Sequence, residues 1–178
     1  MTLEARGLVL SSAQRTVAEW SPVGMDRRRR TVPLRTIYSV GYEGCDLAGF
    51  LSVLERHNIE LLVDVRLTPL SRKRGFSKKA LDAALSAHGI TYLHAPELGN
   101  PKENRAAFSN GQIANGRERY LAHLNNGSRA RFDEVVLHAS KSRTALLCVE
   151  KDDRICHRGC ITDLAMAENP SIRVKRIL

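Results

Sequence analysis

The chain has 178 residues, 43% hydrophobic and 26% charged, with a formal net charge of +9. These values suit one globular domain with an ordinary core and exclude a disordered, fibrous or large multidomain protein. No apolar run approaches the roughly 18 residues a membrane span requires, so a soluble protein with no membrane partner is expected.

Cys45, Cys148, Cys156 and Cys160 follow no apolar signal segment. They read as thiols of a reducing compartment, with a cytoplasmic location expected, rather than as a disulfide framework. The positive balance favours anionic partners, either a small molecule or nucleic acid. Residues 1–35 hold seven basic and three acidic side chains, including the run Arg27 to Arg30, and show no sustained periodicity. This segment reads as a basic, flexible N-terminal arm preceding a single domain at 36–178.

Strand-like and helix-like segments alternate from Thr36 onward. Thr36 to Val40 reads as a strand ending at Gly41. Asp46 to His57 places Leu47, Phe50, Leu51 and Leu54 on one helical face behind a capping Asp46. Glu60 to Val65 is a second, nearly continuous apolar strand. Ser77 to His88 is a second helix with a candidate cap at Ser77 and a stop at Gly89. Ile90 to His94 is the third strand, and Pro96 to Asn104 reads as a loop. Gln112 to Asn126 and Arg129 to Ser142 look helical, separated at Asn126-Gly127. Thr144 to Val149 is the fourth strand, Cys156 to Glu168 a helix and Ile172 to Ile177 the closing strand. Apolar strands separated by amphipathic helices predict an α/β fold, a Rossmann-like three-layer sandwich with a mostly parallel sheet of about five strands.

Ligands of such sheets bind beyond the carboxyl ends of the strands. Those ends carry Gly41-Tyr42, Asp64-Val65-Arg66 followed by Ser71-Arg72, His94, Cys148-Val149-Glu150, and Cys156-His157-Arg158 at a helix start. So many ionisable groups at one edge point to a site, because each must be paired or solvated. Together with Ile37 to Tyr42, Pro69, Tyr92 and Leu98-Gly99, these motifs resemble the family known as domain of unknown function 488, over about residues 36–170. The resemblance implies an α/β fold and a shared strand-edge site, and it brings no settled reaction with it.

A thiol at a helix start meets unpaired N–H groups and the positive end of the dipole, which favour its thiolate. Cys156 is therefore the candidate nucleophile or redox thiol. Cys148 is a second candidate, as redox partner, nucleophile or ligand. Glu150 or His157 would transfer protons, and Arg158, Arg66 and Arg72 would bind the anion. Asp64 would orient an arginine, Gly41 would let a ligand approach the backbone, and Tyr42, Ser71 and His94 complete the binding set. Cys148 and Arg154 have the spacing of a phosphatase loop, but Glu150, Asp152 and Asp153 between them would repel a phosphate, and no glycine lets the loop wrap one.

No cofactor is expected. Only Cys156 and Cys160 have the spacing of paired zinc ligands, and on a helix His157 would lie about 100° from their shared face. A metal at Cys148 and Cys156 stays open. The reading is thus an enzyme, a cysteine-dependent transferase, hydrolase or redox enzyme acting on an anionic, nucleotide- or nucleic-acid-derived substrate. The alternative is a non-catalytic nucleic-acid-binding protein using the arm with Arg66, Arg72, Lys73, Arg74, Lys78 and Lys79.

Overall fold

The structure, a computed structural model, describes residues 35–178. The expected arm lies outside the described residues except for Arg35, which already belongs to the first strand. Five strands, β1 (Arg35–Gly41), β2 (Leu61–Asp64), β3 (Thr91–His94), β4 (Thr144–Cys148) and β5 (Ile172–Ile177), form one parallel sheet in the order β3-β2-β4-β1-β5. Helices α1 (Leu47–Arg56), α2 (Lys78–Ala87), α3 (Lys102–Ser109), α4 (Ile113–His123), α5 (Arg129–Ala139) and α6 (His157–Glu168) supply the crossovers. The Rossmann-like sandwich expected from the alternation is what forms. No helix among the described residues is long and apolar enough to cross a membrane.

The inner strands β2 and β4, and β1 from Ile37 onward, are buried on both faces, and their side chains alternate between two cores. Tyr38, Val40, Leu62, Ala145 and Leu147 pack with Phe50 and Leu54 of α1 and Leu81 and Leu85 of α2. Ile37, Leu61, Val63, Leu146 and Cys148 pack on the other side with Tyr120, Phe132, Val135 and Ile161. Each of the fully buried leucines contributes roughly 1.5–3 kcal/mol over exposure. This alternation assigns the site residues to faces. Cys148 turns toward the α6 side, whereas Asp64 turns toward Tyr42, Phe76 and Tyr92 on the α1–α2 side.

Asp46 caps α1 as its position suggests, accepting the Gly49 amide at 2.8 Å. Ser77 precedes α2 but makes no capping hydrogen bond. Two expectations are corrected. The stretch Pro96 to Asn104 is not a loop throughout, because a 3-10 turn (Pro96–Leu98) and the start of α3 occupy it. Asn126-Gly127 does not separate two helices, because a π-helical turn at Leu124–Ser128 carries α4 into α5. In that turn Ser128 Oγ donates to the Glu97 carbonyl at 2.5 Å, which ties it to the 3-10 turn.

Candidate active site

The ends of β2 and β4 are neighbours in the sheet, and the start of α6 returns above them. A cleft of about 490 Å³ opens there. Its walls include Arg66 and Leu67 after β2, Cys148, Val149 and Glu150 at the end of β4, and Cys156 and His157 at the start of α6.

Cys156 is the N-cap residue of α6, with extended backbone (φ −134°, ψ 151°), so it stands outside the helix. Its Sγ lies 3.6 Å from His157 Nδ1. The far side of that imidazole is anchored by Nε2–H, which donates to the Val65 carbonyl at 3.0 Å. The Tyr120 ring packs against it with centroids 5.3 Å apart, and the Tyr120 hydroxyl, itself pushed far up by burial, donates to the Leu98 carbonyl at 2.6 Å. Cys148 Sγ belongs to the same cluster, with the three ligand atoms of Cys148, Cys156 and His157 mutually within 4.8 Å.

Burial alone would raise the Cys156 thiol, but hydrogen bonding from Cys148, the His157 imidazolium and the Arg158 charge outweigh it and hold Cys156 well below the ordinary thiol value. Burial would likewise disfavour a charged His157, yet the adjacent thiolate raises it. Both shifts run in the direction of a thiolate–imidazolium pair. Cys148 is driven the other way by its hydrogen bond to Cys156 and by burial, both of which favour its protonated form. Glu150 is raised by burial and by the Cys156 charge, and one of its carboxylate oxygens is buried with no hydrogen-bond partner. Cys160 stands apart in the α6 core, pushed up to about 11 by burial.

Asp64 and Arg66 form a second unit on the opposite face of the sheet. Arg66 Nε and Nη2 donate to the two Asp64 oxygens at 2.8 and 2.5 Å. The remaining Nη1 donates to the Phe76 carbonyl at 2.9 Å and to the Tyr42 hydroxyl at 3.2 Å. Tyr92 donates to Asp64 at 2.6 Å. Burial opposes the charge on Arg66, but its bonds to Asp64 raise it above the ordinary arginine value, so the charge is permanent. Asp64 orients an arginine as its position suggests, and most donors of that arginine are already engaged.

Of the residues singled out from the sequence, Cys148, Glu150, Cys156, His157 and Arg66 meet at the cleft. Arg158 is wholly buried and is not among the cleft-lining residues; it donates to Ser39 Oγ at 3.2 Å and to the Glu150 carbonyl. Tyr42 is stacked on Phe76 with centroids 4.3 Å apart, and its hydroxyl donates to Ser71 Oγ at 3.4 Å. Arg72 is exposed on the same loop and does not line the cleft. His94 Nε2–H donates to the Arg66 carbonyl at 3.0 Å and Nδ1 accepts from Lys78 at 3.2 Å, so it supports the Arg66 backbone. Arg154 turns to Asp152 at 2.7 Å, away from any phosphatase-like role.

Gly41 does allow a close approach, but of the protein's own backbone. A Cβ there would stand 1.9 Å from the Glu150 carbonyl oxygen and 2.5 Å from its carbon. Gly41→Ala must push the Glu150 turn away from β1, at a cost of roughly 1–3 kcal/mol or more. A denaturant midpoint equal to that of the parent protein would contradict this.

Sequence reasoning overlooked the outer wall of the cleft, formed by Asn100 with Arg105, Phe108 and Ser109 of α3. The exposed apolar side chains Leu70, Val149 and Ile155 also line it. Arg105 is exposed and makes no ion pair among the described residues, so it is a better placed cation than Arg72 or Arg158 for an anion in the cleft.

No curated protein and no solved structure matches the chain. A family model matches residues 46–165, about two thirds of the chain. The matched span contains Asp64 to Arg66, Cys148 to Glu150 and Cys156 to Arg158, while Gly41 and Tyr42 precede it. With the site motifs inside the matched span and the fold they imply on the page, the chain belongs to the family described as Domain of unknown function DUF488.

Proposed function

We propose that the cleft is the active site of a cysteine-dependent enzyme that transfers or hydrolyses a group of a small anionic substrate through an intermediate on Cys156. The carrying observation is the Cys156–His157 pair, 3.6 Å apart on the wall of a cleft of about 490 Å³, with the imidazole held from behind by the Val65 carbonyl. A thiol shifted toward its thiolate form depends less on a further base to attack an electrophilic centre. Glu150, with its raised carboxyl, is suited to give a proton to the leaving group. Arg105 supplies the charge for the anion, while Phe108, Leu70 and Ile155 suit an apolar or flat portion of the substrate.

The test uses inorganic phosphate as the probe. Phosphate is expected to protect Cys156 from iodoacetamide, and Arg105→Ala is expected to weaken that protection by about tenfold, since one charge-assisted contact is worth about 1.5–3 kcal/mol. Protection that is absent, or indifferent to Arg105, would discard the anion-binding role.

A second reading, a nucleic-acid surface, is favoured by the exposed Arg72, Arg74, Lys78 and Lys79 on one loop and helix start. Binding of this kind would fall steeply with salt, whereas protection of Cys156 inside the cleft would fall less.

A further inference from the structure

We propose that the cleft also binds one zinc-class divalent cation through Cys148 Sγ, Cys156 Sγ and His157 Nδ1, with Glu150 at the remaining position, and that the bound ion silences Cys156. The binding stands on geometry alone; the silencing rests on Cys156 being the nucleophile of the proposed function.

Three donor atoms lie mutually within 4.8 Å, and the measured Sγ to Nδ1 separation is 3.6 Å. A tetrahedral ion with Zn–S of about 2.3 Å and Zn–N of about 2.0–2.1 Å sets its sulfur and nitrogen ligands about 3.6 Å apart. The pair is thus already at the ligand–ligand distance of such a site. Nε2–H is committed to the Val65 carbonyl, the outer hydrogen bond that metal-binding histidines usually have, so the ion takes the place of the Nδ1 proton that faces Cys156.

The helical argument against a shared ion does not apply to this set. Cys156 is the cap with extended backbone rather than a helical residue, and the third ligand is Cys148 from β4 rather than Cys160. Glu150 adds a buried oxygen without a partner, next to the cluster and lining the cleft. Two sulfurs and an imidazole select a borderline or soft ion of the zinc class over magnesium or calcium, which prefer all-oxygen sites. Two thiolates and a carboxylate around a dication leave one net negative charge, and the buried Arg158 guanidinium, bonded to the Glu150 carbonyl, lies close enough to offset it. An ion held this way occupies the sulfur lone pair that would otherwise attack a substrate.

The experiment uses the full chain, with Co²⁺ as the spectroscopic probe and Zn²⁺ as the competitor. One Co²⁺ per chain is expected, with thiolate-to-cobalt charge transfer in the near ultraviolet that Zn²⁺ abolishes. One equivalent of Zn²⁺ should slow alkylation of Cys156 by at least about tenfold, reversibly with a chelator. Cys148→Ser should weaken Zn²⁺ binding by at least about tenfold, in line with what loss of even an outer-shell contact costs. If that variant fails to fold, the parent protein decides alone. Absence of the sulfur charge-transfer band overturns the site while leaving an acid-reactive Cys156 standing as nucleophile. A cobalt spectrum accompanied by an inert Cys156 upholds the site and removes both the silencing and the proposed function.

Discussion

Iodoacetamide is expected to alkylate Cys156 of the folded protein in mildly acidic solution, where Cys45, Cys148 and Cys160 stay unmodified. The direction follows from the environment of each sulfur. Cys156 is held below the ordinary thiol value by Cys148, His157 and Arg158 against the opposing effect of burial. Cys148, Cys160 and Cys45 are all raised, the first chiefly by Cys156 and burial, the others by burial. Since the thiolate is the reacting species, the rate at Cys156 should rise with pH through a midpoint well below the unperturbed value of about 8.5 and then level off. His157→Ala removes the positive partner and should move that midpoint upward, each unit lowering the rate about tenfold at a fixed acidic pH. Peptide mass spectrometry of samples quenched across the pH range reads all four sites at once. A Cys156 that titrates alongside Cys45 would sink the nucleophile, whatever the fate of the metal site.

The Cys156–His157 pair was half legible in the sequence. A cysteine followed by histidine at a helix start is visible as a string, and so is the alternation that carries β4 to Cys148 and Glu150. Cys148 and Cys156 meet across the turn that joins β4 to α6, but what sets His157 on the Val65 carbonyl is the strand order, with β4 inserted between β2 and β1, and no local periodicity encodes that order. The direction of the Cys156 side chain was hidden for a related reason. A one-residue shift of Cys156 from helix to cap changes the direction of its side chain, and helix boundaries are the least certain feature of a pattern. Wall helix α3 was invisible for a different reason. Its buried side chains are Asn104 and Ala107, so it has no apolar stripe, and Pro101 just before it resembles a loop signal. Asn104 is buried because its amide donates to Asn100 at 3.0 Å and to the Gly116 carbonyl at 2.8 Å. Polar burial satisfied at a distance cannot be read from spacing. The packing of the Glu150 backbone on Gly41 was not legible either, because the two are 109 residues apart in the chain.

Asp64→Ala is expected to cost more stability than any other single change considered, about 3–5 kcal/mol, because it strands a permanently charged guanidinium in the interior. Both partners are buried, and Arg66 is held in place by its bonds to Phe76 and Tyr42. The same substitution removes the acceptor of the half-buried Tyr92 hydroxyl, an orphaning worth up to a further 1–3 kcal/mol. Such a loss is a large share of the 5–15 kcal/mol that a domain of this size typically has. The informative comparison is a double-mutant cycle with Arg66→Met, since removing the charge along with its partner should cost less than the sum of the two single changes. Chemical denaturation at neutral pH measures each corner of the cycle, and strict additivity would show that the pair contributes nothing as a pair. The consequence reaches the cysteine as well. Val65 lies between Asp64 and Arg66, and its carbonyl anchors His157. If the buried pair fixes that carbonyl, the milder Asp64→Asn should raise the midpoint of Cys156 alkylation while the protein remains folded. A purely structural ion pair would lower the denaturation midpoint and leave the alkylation profile where it was.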